Sequence, residues 1–590
     1  MKKNNIVTYD DKNENIDNNQ SSNNGNGNNN QSSSSSPPTP LSKDPTFKKI
    51  VKNKVKLPTP ENILDFGVYF FLHHVYHPSL QYTPQEIKNT IISIIANAYL
   101  VFKIKATPPQ KLAPRQIAEI MVALDNVIRV KVNDNTDDID IIAMYCPEGE
   151  NRGIYVSFPS VIKKRILEYI YSPTKAELDS ILNDIKAIAP RKKRTMDRDL
   201  VAVNNGIFNF ETKVLMPFSP EYVFLAKSKV NYNPFAANVV IHNDDDGTDW
   251  DVESWMKDLS NDPEIVNLIW QILSAIVRPF VRWNKSAWFY SNTGNNGKGT
   301  LCELMRSLCG DGSYAAIPLV DFSKDFALEP LTRANAIIVD ENDVGTFIDK
   351  AANLKAVITN DVIPINRKFK EIISYQFYGF MVQCLNEFPR IKDKSDSFYR
   401  RQLFIPFEKC FTGRERKYIK NDYLHRKDVL EYVLYRVLHM NFYELSEPVS
   451  CSDALSEYKD YNDPVRQFMD EVEPQFVWDL LPFSFLYDLY KAWFRKNSPS
   501  GSVQGRNTFI TDLLSILGDY PNWLCQGSSV TIRPAHRMDK PELLIAEYEL
   551  RDWCDHTYTG NDPNLICRPK LKSNYNGLLR VKSFLSINDK

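Results

Sequence analysis

The stretch Ser286–Thr300, SAWFYSNTGNNGKGT, constrains this chain more than any other: an apolar run breaks into a Gly/Asn-rich loop, then Lys298, then the helical pattern Leu301–Leu308. A strand feeding a helix through small residues is the context a phosphate-binding turn requires. Small side chains let backbone N–H groups approach phosphate oxygens, and the helix N-terminus adds a favourable dipole. Gly294, Asn295, Asn296, Gly297, Lys298, Gly299 and Thr300 are the candidate nucleotide-binding residues. Lys298 is suited to the β and γ oxygens as a point charge. The usual spacing would place Gly at 292 and a hydroxyl at 299, where this chain has Asn292 and Gly299. Asn tolerates left-handed backbone, and Thr300 becomes the candidate metal hydroxyl, shifted by one. ATP and Mg2+ are the cofactors implied.

A second motif follows in order. Ala336–Val339 reads as a buried strand ending in Asp340-Glu341. Two carboxylates at a strand tip beside a phosphate loop supply one metal ligand, assigned to Asp340, and one group to polarise water, assigned to Glu341. A further strand, Phe377–Leu385, ends in Asn386, placed to orient water near the γ-phosphate. Arg400-Arg401 then precede the apolar run Gln402–Phe407. Arginines there can donate to phosphates held by a neighbouring subunit.

The 590 residues carry 72 Lys+Arg against 73 Asp+Glu, a net charge of -1. That balance excludes a strongly basic chromatin-type binder and an acidic solvating chain. With 43% hydrophobic and 12% aromatic residues, sizeable cores are available, and the length predicts roughly three to four domains. Residues 1–44 are Asn/Ser-rich and lack the apolar surface to offset ordering, so a disordered tail is expected. Residues 45–198 read as mainly helical, with a short hairpin at Ile139–Tyr145 and Gly153–Val156 and a basic cluster at Arg191–Arg194. A β-rich flank and linker covers 199–250, with strand patterns at Leu200–Phe210 and Tyr222–Lys229 and an acidic linker near Asp244–Gly247. Residues 251–450 alternate helices and short apolar strands, the pattern of a doubly wound α/β domain. Residues 451–590 are mixed, with helices over Phe485–Phe494 and Phe509–Leu517.

Phosphate loop, Asp-Glu strand, basic hairpin, Asn-tipped strand and Arg-Arg before Pro-Phe occur in sequence between 286 and 407. This order resembles the superfamily 3 DNA helicases, and more narrowly the phage and plasmid replicative primase–helicase family related to poxvirus proteins. The flank Val203–Phe210 through Asn231–Pro234 is similar to that family's N-terminal flank, and replication initiator helicases of phage-inducible chromosomal islands are the nearest type considered. The resemblance implies an α/β, multidomain protein: a central AAA+ P-loop domain, a mainly helical N-terminal region and a C-terminal winged-helix-like domain. It implies a ring, expected to be a hexamer, with ATP held between subunits. Arg401 best matches the trans-acting arginine, with Arg400 as runner-up. The segment Thr359–Lys370 matches the hairpin lining the central channel, making Arg367, Lys368 and Lys370 candidates to grip DNA. Clustered cations neutralise phosphates without reading sequence, as a translocating motor needs.

The expected function is therefore an ATP-dependent helicase and replication initiator of a phage or mobile element. Its partners would be single-stranded DNA in the channel and duplex at an origin. The alternatives are a bifunctional primase–helicase and an origin-binding ATPase that does not unwind. Asp138-Ile139-Asp140 resembles the paired acids of primases, but no His follows until His242 and no third acid is placed, so primase activity is not expected. Cys554, His556 and Cys567 miss the spacing of a zinc site. Nine scattered cysteines, no signal-peptide pattern and no apolar run of membrane length predict a cytoplasmic protein in a bacterial host.

Overall fold

The computed structural model describes residues 40–131, 140–368, 370–497 and 503–581, the side chains of Lys370 and Glu371 excepted. The chain divides into two compact units, Met1–Lys111 and Leu112–Lys590. In the first, the tail expected over 1–44 lies outside the described residues up to position 39; Leu41–Lys43 then forms a 3-10 turn. Helices follow at Pro45–Lys54, Pro60–Phe70 and Pro84–Phe102, the last opened by a Thr83/Glu86 capping box. Phe47, Phe66 and Phe70 meet edge-on or tilted at the centre of this unit.

The second unit is a mixed α/β assembly of several parts. Its largest is a five-stranded parallel sheet. In chain order the relevant elements are α1 (Pro263–Val277), β1 (Ser286–Tyr290), α2 (Lys298–Cys309), β2 (Tyr314–Ala315), β3 (Ala336–Val339), β4 (Phe380–Leu385) and β5 (Gln402–Pro406). The strand order is β2-β3-β4-β1-β5, with every pairing parallel. Strands covered on both faces become almost wholly apolar, as AIIV in β3 shows. Alternation then sorts the side chains into two cores. Ala287, Phe289, Ile338, Val382 and Ile405 join one, with α1 and α2; Trp288, Ile337, Val339, Met381 and Phe404 join the other.

The region before the sheet differs from its sequence pattern in three ways. Val127–Val130, Ile141–Tyr145, Tyr155–Val156 and Arg191–Lys192 form one four-stranded sheet, so part of the basic cluster is strand. Asp138 and Ile139 lie outside the described residues, whereas Asp140 is buried and accepts from Arg191 Nε at 2.5 Å. Tyr222–Lys229, read as a strand, is an irregular buried segment: Phe224 and Val223 accept singly from Tyr155 and Thr195, and Ser228 donates to Ala202, without a continuous ladder. The acidic stretch read as a linker is the turn of a hairpin, Ile241–Asn243 with Thr248–Trp250, whose Trp250 is buried.

Beyond the sheet, Pro464–Val472, Phe483–Asn497 and Arg506–Ile516 are helices packed on a small antiparallel sheet ordered Leu480–Pro482, Gly577–Arg580, Trp523–Leu524. They share a core of Phe468, Trp478, Phe485, Leu489 and Phe509. Among the described residues, no helix is long and apolar enough to cross a membrane, and no three His, Cys, Asp or Glu side chains group as metal ligands.

Candidate functional site

Parallel pairing brings the carboxyl ends of β1, β3, β4 and β5 to one edge of the sheet, because Tyr290 pairs with Leu385 and Pro406, and Val339 with Gln383. Ligands of open α/β sheets bind outside that edge. Ser291–Gly297 leaves β1 there, Asp340-Glu341 leaves β3 and Asn386 leaves β4.

The loop is shaped by two left-handed residues, Asn295 at φ 52° and Gly297 at φ 87°. The conformational tolerance expected of Asn292 is thus used at Asn295. A side chain at Gly297 would also bring a Cβ within 2.7 Å of Leu259 Cδ2, so the position needs glycine twice over. Asn296 is buried; its amide donates to the Thr293 carbonyl, and its Oδ1 accepts from Lys298 N–H at 3.4 Å. α2 begins at Lys298 and places Gly299 and Thr300 in its first turn.

Lys298 is 5% exposed, and its Nζ has no hydrogen-bond partner among the described residues. Burial pushes its pKa below the ordinary lysine value, the nearby Cys384 and Cys302 thiols opposing only weakly. A buried ammonium without an acceptor costs free energy unless a ligand supplies one, and an anion at this loop would. Behind it, Cys302 on α2 and Cys384 on β4 lie with sulfurs 3.3 Å apart. Burial raises the Cys384 thiol well above its usual range, which makes it packing material, not a nucleophile.

Asp340 is partly exposed and accepts from Arg306 NH2 at 3.0 Å. Burial pushes its carboxyl upward, but the Arg306 hydrogen bond and charge more than offset that and leave it below the usual carboxylate range. Arg306 lies two turns beyond Lys298 on α2 and also approaches Glu303 at 3.5 Å. Nothing in its spacing distinguished it from a solvated helix cation. Beneath the acids, buried Asn342 donates to Gln383 Oε1 at 3.0 Å and to the Cys384 carbonyl at 3.1 Å, and Gln383 donates to Ile317. This latch ties the end of β3 to β4. Gln383 inside an apolar strand was the sequence signal for it. Asp340 and the Thr300 hydroxyl are hard oxygen donors of the kind Mg2+ takes. Glu341 and Asn386 are exposed at the same edge.

The two arginines lie elsewhere. Arg401 accepts from Ser286 N–H through its carbonyl at 2.8 Å, at the amino end of β1, roughly 13 Å along the strand from the loop. Arg400 is exposed. Arg401 is half-buried, donates to the Ser397 carbonyl, and its Nε has no partner among the described residues.

The basic segment forms an antiparallel hairpin, Val362–Arg367 with Lys370–Gln376. Ile363, Ile365, Ile373 and Tyr375 anchor one face in the core, while Lys368 is exposed at the turn. Arg367 is half-buried; Lys370 is in the second strand, its side chain outside the described residues. Tyr375 accepts from Arg194 NH1 at 2.5 Å, joining the hairpin base to the basic cluster.

Three family models match separate stretches: "D5 N terminal like" over residues 161–262, a family of unknown function designated DUF5906 over 289–401, and "Poxvirus D5 protein-like" over 460–553. The DUF5906 match runs from β1 to Arg401, and the two D5-type matches flank it. The chain is thus similar to D5-type proteins on both sides of a stretch whose own family has no assigned function. No curated protein matches the chain. Among solved structures, an A-form apo structure of the NrS-1 C-terminal region is 14% identical, covering 72% of this chain and 98% of its own, with a TM-score of 0.38. Another, of NrS-1 residues 305–718, is 13% identical, covering 79% and 99%, at 0.39.

Proposed function

We propose that this protein is an ATP-dependent DNA helicase and replication initiator of a phage or mobile element, working as a ring, with a hexamer as the expected state. The observation that carries the reading is the buried, partnerless Nζ of Lys298 at the head of the helix that leaves the β1 loop. The matches to D5-type models on either side support the replication context.

In this reading the sheet is an AAA+ P-loop module. Backbone N–H groups of Gly294, Asn295, Asn296, Gly297 and Gly299 cradle the phosphates, and Lys298 neutralises them. Thr300 and Asp340 would hold Mg2+, which when bound neutralises charge on the β and γ oxygens. Glu341 accepts a proton from the attacking water, and Asn386 orients it. Arg400 and Arg401 sit at the opposite end of β1 from the loop, too far to serve their own site, which supports a role toward a neighbouring copy. Arg367, Lys368 and Lys370 would hold the DNA backbone in the channel. In this reading the helices and three-stranded sheet after residue 463 would serve as a winged-helix-like domain that takes duplex at an origin. The ring would act in the host cytoplasm.

Strand displacement on a forked substrate tests the whole reading. The parent protein is expected to unwind with ATP, and Lys298→Ala to lose both unwinding and hydrolysis. Undiminished hydrolysis by Lys298→Ala would overturn the nucleotide site. Hydrolysis without unwinding by the parent would favour the origin-binding ATPase instead.

A further inference from the structure

The first compact unit, which ends at Lys111, differs in charge from the rest of the chain. Residues 40–111 contain ten lysines and no arginine against four carboxylates, a net charge of +6. The whole chain is -1, so the remaining residues are net acidic at -7. A near-neutral total hides this division, and a basic unit on an acidic chain is the electrostatic footprint of a polyanion site.

The excess is concentrated on the helix Pro45–Lys54, PTFKKIVKNK, with Lys43 and Lys56 just outside it. Asp44 caps the helix by accepting from Thr46 N–H at 2.7 Å, so the nearest carboxylate in the chain is engaged by the helix itself. Phe47, Val51 and Val55 recur every four residues and are at most 4% exposed. Phe47 meets the rings of Phe66 and Phe70 at 6.0 and 5.0 Å. That spacing commits one face to the core and turns Lys48, Lys49 and Lys52 outward, all three exposed. Lys48 and Lys52 stand one turn apart, about 6 Å along the axis. No carboxylate among the described residues forms an ion pair with Lys48, Lys49 or Lys52. Like charges three and four residues apart on a helix repel, and a polyanion laid on this face relieves that repulsion.

The surroundings of the lysines select among polyanions. A helix that lies in a membrane interface inserts its apolar side, whereas here Phe47, Val51 and Val55 are the core of the unit. Single-strand sites pair cations with open stacking rings, but the exposed positions of this helix are Pro, Thr, Lys and Asn only. Tyr69, at the helix end, is capped by Lys54, whose Nζ lies 4.0 Å from the ring centroid. Arginine, the commonest side chain for bidentate base contacts, is absent from the unit. What remains is a row of point charges on flexible stems, which neutralises duplex phosphates without reading sequence.

We propose that the Pro45–Lys54 helix is a sequence-independent contact for duplex DNA, with Lys48, Lys49 and Lys52 on the phosphate backbone. It is separate in the chain from the Thr359–Lys370 hairpin, and it needs no nucleotide. The proposal rests on the reading that the protein acts on DNA, and it gives the first unit a role that reading leaves open: holding duplex.

Fluorescence anisotropy of the full chain on a blunt duplex of random sequence, without nucleotide and over a range of salt, tests this. Replacing the three lysines together, Lys48→Gln, Lys49→Gln and Lys52→Gln, is expected to reduce the log–log salt slope by about 2 to 3, at roughly 0.9 per phosphate contact. The matching Lys→Arg triple keeps the charge and is expected to hold the parent's slope within about 0.5. An unchanged slope in the Gln triple with duplex still bound, or an equal loss in the Arg triple, would overturn this assignment alone. So would tighter binding of the parent to duplex RNA, to polyglutamate or to phosphatidylserine vesicles than to duplex DNA. Failure of the parent to bind either duplex or single-stranded DNA would instead overturn the DNA reading beneath it.

Discussion

Arg306 and Asp340 form an ion pair at 3.0 Å between α2 and the tip of β3, linking the helix headed by Lys298 to the proposed metal carboxylate. The pair holds the carboxylate ionised and places a fixed positive charge where a divalent cation is expected. Removing that charge frees the Asp340 oxygen and relieves like-charge repulsion. Arg306→Ala is therefore expected to bind Mn2+ more tightly, by about fivefold or more for roughly 1 kcal/mol of relieved repulsion, read by electron paramagnetic resonance without nucleotide. Weaker binding would show that Arg306 orients Asp340 for the metal.

Lys298 predicts a stability effect of opposite sign to most active-site losses. A buried charge without a partner destabilises the nucleotide-free fold, so Lys298→Met should raise unfolding stability by about 1–3 kcal/mol. The sign with pH follows from the lowered folded pKa. Between that value and the unfolded 10.5 the unfolded chain binds more protons, so the parent's stability rises with pH in that window. Lys298→Met lacks the rise, and denaturant melts from pH 7 to 10.5 should show the two curves converging.

The exposed Arg400 and the tied Arg401 make separable predictions. Arg400→Ala, the runner-up, is expected to lower hydrolysis the less of the two, and Arg401→Ala, the better match to a trans-acting arginine, to lower it roughly a thousandfold. Mixing it with Lys298→Ala protein should recover part of the activity, because one intact shared site can form. No recovery at any ratio would rule out a site shared between copies.

At the hairpin turn, Lys368→Ala should reduce the salt slope of single-strand binding by about 0.7, the change expected for one phosphate contact. Fluorescence anisotropy over a range of salt concentrations reads this directly. An unchanged slope would remove Lys368 from the DNA path.

The Asn342–Gln383 latch is a structural test of how the acids are held. Asn342→Ala strands a buried amide and should cost about 1–3 kcal/mol in denaturant unfolding. A loss below about 0.5 kcal/mol would mean that water replaces the contact.

What the sequence determined by itself was local. Ser286–Thr300 specified strand, loop and helix because a short continuous apolar run, small loop residues and a lysine at the helix start leave few other conformations. The tips of β3 and β4 were legible for the same reason, since parallel strands buried on both faces write continuous apolar runs that end abruptly in polar residues. Only tertiary structure decided what those residues meet. Lys298 is partnerless because α2 and β4 close around it, and Asp340 is paired because α2 passes β3 at the height of Arg306. Tyr222–Lys229 carried a strand pattern yet pairs with three different segments, because its bonding partners lie far away in the chain. The acidic stretch at Asp244–Gly247 looked like a linker by composition, but Trp250 is buried and makes it a hairpin. Charge and spacing are written along the chain; partners and burial are properties of what the chain folds against.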